Sequence, residues 1–439
     1  MNVSDSTKAM LLDSIKDLEA DPCKFARSPG KDFTRKRKLD LQNFLLMLLS
    51  MEGDCIQEEL YRYFGRSIDA PSKAAFYNQR RKIHNDALRN LLFTFNSKLQ
   101  TKLFHDQYQF IACDGSALDV FRNPLDKDSF FEPNGKSKKG FNQIHLNAFY
   151  SILDGRFVDL LMQPGRKRNE YAAFCHMVDS LGPTLDRKIV YFADMGYASY
   201  NNFAHVIEQG QYFLIRCNNS RTGRILGYPM DNIKELDVHV QRILTRSQAR
   251  KKWAHPELAD SYRYVSQSTC FDYISKERPE YEISLRVIRF ELANGCFENI
   301  ITNLPDIVFD LDDFKDLYHL RWNEETAFRD LKYPLCLKAL HSKKYPYIVQ
   351  EVWARAILYN FCADITNHVE IEQNHRKYEY KANFAEACKT CREYLRSPHP
   401  YALVNVEALI AKNLEPVRPE RIFARQHRFK LPVSFCYRN

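Results

Sequence analysis

At 439 residues the chain has room for two or three domains with sizeable cores, and 45% hydrophobic residues with 13% aromatics exclude wholesale disorder. Lysine and arginine exceed aspartate and glutamate by 64 to 55, a net charge of +9 that leans mildly toward polyanionic partners. The N-terminal stretch through Cys23 lacks the basic flank and apolar core of a signal peptide, and no run approaches about twenty apolar residues, so a cytoplasmic protein without a membrane segment is expected.

Residues 1–104 read as helical, with apolar positions at helical spacing in LQNFLLMLLSM and ALRNLLFTFN. Between these, CIQEELYRYFG forms one candidate helix closed by Gly65, and SKAAFYNQRRKIH a second, capped by Ser72 and carrying Lys73, Arg80, Arg81 and Lys82. The pair has the pattern of a helix-turn-helix with a basic DNA-reading helix; a basic surface on a helical bundle fits equally well.

From 105 to 217 the period changes to that of strands: YQFIACDG, QIHLNAFYSIL and RFVDLLMQPG, then helix NEYAAFCHMVDSLG, strand KIVYFADMGY, helix NNFAHVIEQG and strand YFLIRC. The order β-β-β-α-β-α-β predicts a ribonuclease H-like core in an α/β fold. Residues 218–300 read as a β-rich insertion, with strand candidates RYVSQSTCFDY and EISLRVIRFEL. The core resumes over 301–345, with strand NIITNL and a long helical segment from about 311. A helical region over 346–439 ends in the basic run RPERIFARQHRFK, either a solvated face or a phosphate contact. The loop NGKSKKG, with Lys136, Lys138 and Lys139, poses the same alternative between phosphate contact and solubility.

Asp114 follows the apolar run FIAC and Asp194 the run IVYFA, each with glycine within two residues, so both carboxylates are expected at strand ends where the chain turns away. Two aspartates on adjacent strand ends can share magnesium or manganese, hard cations that prefer oxygen ligands. Either aspartate alone would be explained by turn formation. In DLYHLRWNEETAFRDLK, Tyr318, Arg321, Glu325 and Lys332 fall within an arc of roughly 60° of one helix face. Glu325 there offers a third carboxylate, Arg321 and Lys332 positive charge, and Tyr318 a hydroxyl. Leu317, Leu320, Phe328 and Leu331 form the adjacent packing stripe. Asp119 lies five residues beyond Asp114, and Glu324 is rotated about 100° from Glu325, which sets both aside as ligands.

The segment matches Y-x2-R-x3-E-x6-K at all four positions and so resembles the YREK signature of insertion-sequence family four transposases, within the DDE superfamily. The surroundings CDGS, ADMGY, ITNLP and LHSKK resemble the same family, most closely from about 108 to 355. The resemblance implies a DDE triad of Asp114, Asp194 and Glu325 holding two magnesium ions, with manganese as substitute, and DNA-phosphate contacts from Tyr318, Arg321 and Lys332. It also implies cut-and-paste transposition on double-stranded DNA, acting on transposon ends and target, with a dimer in the synaptic complex. Relatives seat a flipped base on an aromatic residue; Trp253, beside Arg250, Lys251 and Lys252, is a candidate for that role or for simple packing, while Trp322 suits the core.

Three rival readings remain at this level: a metal nuclease that cuts without joining, a domesticated DNA-binding protein that no longer cuts, and a two-carboxylate glycosidase. The long helical N-terminal region weighs against the first, the intact triad against the second and the Tyr-Arg-Glu-Lys face against the third. Of twelve cysteines, Cys388 and Cys391 alone have a C-x-x-C spacing suited to zinc, but they lack a second pair and sit in a helical pattern.

Overall fold

The structure, a computed structural model, describes residues 2–135, 137–230, 232–249, 258, 260–292, 295–320, 322–373, 378–396 and 405–417; at 318–320, 322 and 323 only the backbone is described. Helices α1 (Val3–Ala20), α2 (Leu41–Ser50), α3 (Ile56–Tyr63), α4 (Lys73–Arg80) and α5 (Ala87–Lys98) come first. Ser72 caps α4 as its sequence predicts, accepting from the Ala75 N–H. The connection from Phe64 to Ser72 is longer than the turn of about three to four residues in a helix-turn-helix.

The sheet is built from β1 (Tyr108–Val120), β2 (Phe130–Phe131), β3 (Phe141–Ser151), β4 (Arg156–Pro164), β5 (Lys188–Ala193) and β6 (Tyr212–Cys217). Helix α6 (Glu170–Leu181) bridges β4 to β5, and α7 (Tyr200–Glu208) bridges β5 to β6. Spatially β4, β3, β1, β5 and β6 lie side by side, the first three antiparallel and β1, β5 and β6 parallel. That order is compatible with a ribonuclease H-like core.

After α8 (Asn219–Leu226) come β7 (Leu236–Thr245), β8 (Tyr262–Tyr264), β9 (Glu280–Glu291) and β10 (Phe297–Thr302). These strands continue the same sheet in the order β6, β10, β9, β7, β8, giving ten strands among the described residues. The strand expected over 263–273 is largely loop, with only Tyr262–Tyr264 paired.

Then follow α9 (Leu311–Leu320), α10 (Trp322–Lys332), α11 (Tyr345–Asn367), the short pair β11 (Tyr380–Ala382) and β12 (Leu414–Pro416), α12 (Phe384–Arg396) and α13 (Val406–Lys412). Every residue of α11 from Gln350 to Ile365 is buried, because α1, α2, α5, α12 and β4 surround it. Leu45, Leu48 and Leu49 of α2 are fully buried, each worth about 1.5–3 kcal/mol relative to exposure. The polar groups of α11 have definite work. Asn360 accepts from the Phe157 N–H and donates to its carbonyl, completing the outer edge of β4. Arg355 donates to the carbonyls of Leu48 and Leu49, the C-terminal acceptors left open in α2. One core joins the N- and C-terminal helices to one sheet face, and a second holds α6 and α7 against the other.

Candidate active site

Strands β1 and β5 run parallel, with Cys113 opposite Ala193 as their last pair. Asp114 is the next residue of β1, and Asp194 is the first residue after β5. Phe110 and Ala112 enter the core under the terminal helices, while Ile111 and Cys113 enter the core under α6 and α7. Alternation therefore places Asp114 on the terminal-helix face, the face that Val190 and Phe192 of β5 share. Both carboxylates are half-buried. The Gly115 N–H donates to Asp114 Oδ1 and the Gly196 N–H to Asp194 Oδ1, each at 2.7 Å.

One expectation is corrected here: Asp114 is not at a strand end. β1 continues to Val120, paired with β3 throughout. Gly115 is a glycine for closeness rather than turning, since a Cβ there would lie 2.4 Å from His145 Nε2. His145 is 3% exposed, and its Nε2 stands 2.9 Å from Glu170 Oε1. That contact holds the Glu170 carboxyl below its usual range. The pair lies behind Asp114, on the opposite sheet face; its sequence signal was a histidine inside the apolar strand QIHLN, which a buried core role also explains.

Helix α10 packs on β1 through Ala327, Phe328 and Leu331, with Leu317 of α9 in the same core, as the predicted stripe requires. The Leu320 and Trp322 side chains are outside what is described. Lys332 Nζ donates to Ser116 Oγ at 2.6 Å, two residues along β1 from Asp114 and on its face. Burial lowers the Lys332 ammonium below the usual lysine range and Lys338 adds to this, while Asp119 and Asp114 pull it back up. Glu325 is exposed. Its neighbour Glu324 is 0% exposed, and burial together with Glu324 and Asp114 drives the Cys113 thiol pKa up, so both carboxylates lie within electrostatic range of one sulfur. Tyr318 belongs to α9, its side chain not among those described, and Arg321 lies outside the described residues.

Among the described residues no group of three or more His, Cys, Asp or Glu side chains is gathered closely enough to hold a metal ion. Asp114 and Asp194 follow the last paired residues of β1 and β5, and Glu325 is on a helix packed against β1 but does not close a set with them. As donors, half-buried carboxylates with one oxygen held by a backbone N–H keep lone pairs for a hard cation.

Of the basic residues expected to meet DNA, Arg80 is corrected. Its side chain is 0% exposed, with Nη2 2.9 Å from Glu351 Oε1 and Nε donating to Gln350, so it ties α4 to α11 and presents no charge to solvent. Lys73 and Arg81 are exposed. Lys82 is half-buried, bonded to Gln79 and 5.4 Å from the centre of the Phe33 ring. A feature not anticipated is the loop KDFTRKRK over 31–38, where Lys31, Arg35 and Arg37 join Lys82 around a cleft of about 480 Å³. Its signal was plain in the sequence: five cations in eight residues.

Lys138 and Lys139 are exposed. Lys136, Arg250, Lys251, Lys252, Trp253 and the basic run over 418–430 lie outside the described residues. Cys388 and Cys391 are fully buried against α11, with Cys362 beside them. No helix among the described residues is long and apolar enough to cross a membrane.

Comparison with known proteins bears on the family of the chain. No curated protein matches the chain. A solved piggyBac transposase synaptic complex with hairpin DNA is similar at TM-score 0.39 and 10% identity, over 94% of this chain and 84% of that chain. The transposase DDE domain family matches residues 105–361, more than half of the chain. The chain therefore belongs to the transposase DDE domain family.

Proposed function

We propose that the protein is a cut-and-paste transposase of the YREK class, cleaving DNA at the terminal inverted repeats of an insertion sequence and joining the freed ends to target DNA. What supports this most is the parallel register of β1 and β5, whose last pair Cys113–Ala193 directly precedes Asp114 and Asp194, together with the bond from Lys332 to Ser116 two residues along β1. DDE transposases generally use divalent metal ions, and in this reading Asp114, Asp194 and Glu325 hold two magnesium ions, with manganese able to substitute. Bound there, the ions would supply Lewis-acid polarisation of the scissile phosphate and acidify the attacking hydroxyl.

The chain's own groups do the positioning. Lys332, Arg321 and Tyr318 orient the phosphates around the cut, and the half-buried setting of Lys332 strengthens its pull on an anion relative to bulk water. Water attacks phosphorus in cleavage and a DNA 3′-hydroxyl attacks in joining, with the opposite oxygen leaving in line. Lys73, Arg81 and Lys82, with the cleft beside the 31–38 loop, hold the double-stranded ends through their phosphates, and two copies of the chain pair the ends in the synaptic complex.

The test is strand cleavage and joining on DNA carrying the ends that flank the coding sequence, with magnesium, with chelator, and with the Asp194→Asn and Glu325→Gln variants. Metal-dependent nicks at the element boundary, lost in both variants while end binding persists, are expected. Cutting retained by Glu325→Gln removes that residue from the triad; binding without any cutting by the unmodified chain favours a DNA-binding protein that no longer cuts.

A further inference from the structure

In the LHSKK segment the His341 ring is buried, while Lys343 and Lys344 are exposed. The chain between the signature helix and these lysines is pinned at several points. The Leu337 and Lys338 N–H groups donate back to the carbonyls of Leu331 and Lys332, at 3.0 and 3.3 Å, and Arg392 Nη2 donates to the Pro334 carbonyl at 3.0 Å. The His341 N–H donates to Glu351 Oε2 at 2.8 Å, and the ring is lodged between Glu351 and Glu59. Backbone held in this way presents its remaining side chains from a fixed base.

Three ammonium groups follow β1 away from Asp114. Lys332 Nζ is bonded to Ser116 Oγ, two residues on from Asp114. Lys338 is exposed; its Nζ donates to the Tyr333 hydroxyl at 2.9 Å and lies 4.5 Å from the centre of that ring. Burial first and Lys338 second hold the Lys332 ammonium below its usual range, so the two cations are within electrostatic reach of each other. Lys343 Nζ is 4.2 Å from the centre of the Phe121 ring, and Phe121 is the residue that follows β1. From Ser116 to Val120 an extended strand advances about 13 Å, the axial rise of about four phosphates of one DNA strand. Neither Lys338 nor Lys343 is ion-paired among the described residues; each has an aromatic ring at its side. A ring steadies an ammonium without neutralising it, so the charge stays available to a phosphate. Asp119, which pulls Lys332 the other way, accepts from Gln143 Nε2 at 2.7 Å.

We propose that Lys338 and Lys343 extend the positive charge of Lys332 into a track for one DNA strand, seating the phosphates that follow the scissile one along β1 toward Phe121. The inference rests on the reading of the chain as a DNA-cutting enzyme and deepens it with two contacts outside the signature. The strand belongs either to the transposon end or to the DNA joined to it across the cut, and both offer the same phosphates. Contacts to phosphate alone fix the path of the strand and select no sequence.

The experiment is fluorescence anisotropy of the full chain in chelator, with a labelled duplex of about forty base pairs spanning the element boundary, titrated with salt. Lys338→Gln and Lys343→Gln, singly and together, are compared with Lys389→Gln, at an exposed lysine of α12, each checked for an unchanged thermal midpoint. The slope of log affinity against log salt is expected to fall by about one for each track variant and about two for the pair, and to hold in Lys389→Gln. A second readout locates the phosphates through neutral methylphosphonate linkages, placed one at a time at about five positions on either side of the cut. Those seated on the track should weaken binding by the unmodified chain about threefold and leave the double variant nearly indifferent. Such positions on the element side assign the track to the transposon end, and positions beyond the cut assign it to the flanking strand.

An unchanged slope in the double variant overturns the inference. So does an equal loss in Lys389→Gln, or a linkage profile that the double variant shares with the unmodified chain. Cutting of the same duplex with magnesium reports separately. A chain that cuts while its slope ignores both lysines sinks the track and leaves the transposase reading standing; a track that passes both readouts in a chain that never cuts does the reverse. A chain without affinity for this duplex overturns both.

Discussion

Lys332 and Ser116 are joined by a 2.6 Å hydrogen bond that fastens the end of the signature helix to the strand bearing Asp114. Lys332→Ala should lower the cleavage rate by about a hundredfold, the order seen when one charge-stabilising donor is removed from a reacting centre. Ser116→Ala, which frees the ammonium without deleting it, should cost about tenfold or less. Single-turnover cleavage under saturating DNA measures both; a Lys332→Ala rate near that of the unmodified chain would dismiss the phosphate role.

Gly115→Ala inserts a methyl group 2.4 Å from the His145 ring, which cannot rotate away without leaving Glu170. Overpacking of this kind should destabilise the fold by about 1–3 kcal/mol and displace the N–H that holds Asp114. His145→Ala makes room, so the double variant should be more stable than the sum of the two single losses predicts. Denaturant melts of the three variants decide it, strict additivity being the contrary result.

Arg80 and Arg81 should part company despite being adjacent. Arg80→Ala leaves Glu351 buried without its main cation and should cost about 3–5 kcal/mol, read as a lower thermal midpoint. Arg81→Ala, at an exposed position, should leave the midpoint alone and reduce the salt dependence of DNA binding by about one unit of slope. An Arg80 variant that melts normally but binds DNA poorly would reverse the assignment.

His341, in the LHSKK segment, sits between Glu351 (Nδ1 to Oε2, 3.4 Å) and Glu59 (Nε2 to Oε1, 3.7 Å). Burial alone would lower its pKa, but the two carboxylates outweigh it and raise the folded value above 6.5. Its stabilising contribution is therefore complete below the unfolded pKa near 6.5 and lost as pH rises through the folded value. Burial pushes Glu59 up, yet His341 and the Asp54 and Glu52 N–H groups bring it down to about 2, so its contribution is present above about 4.5 and fades as pH falls toward 2. Thermal midpoints should decline on the alkaline side in the unmodified chain, and His341→Gln should flatten that limb. An unchanged alkaline limb in the variant would exclude His341 as its source.

Much of this was legible in the chain because it is local. Period-two runs marked β1, β3, β4, β5 and β6, and the spacing of Leu317, Phe328 and Leu331 marked the packing side of the signature segment. What escaped was non-local. Gly115 looked like a turn because only the fold brings His145 up to it. The β-rich insertion was read from its strands, but that they extend the central sheet depends on β10 pairing with β6 across 80 residues of chain. Arg80 was indistinguishable from its exposed neighbours because its partner, Glu351, lies 271 residues further on.

The place of Asp114 inside a continuing strand divides labour within the proposed triad. Asp114 is held within the ladder opposite Ala148, so its position is set by a continuing strand, while Asp194 leads straight into the exposed Met195 and Gly196 and Glu325 rides on a separate helix. Any gathering of the three carboxylates therefore falls to the latter two, with β1 as the fixed anvil. Backbone amide exchange from Ala112 to Leu118 would stay slow whether or not DNA is held, and the protection gained on assembly would concentrate at residues 194–197 and along α10.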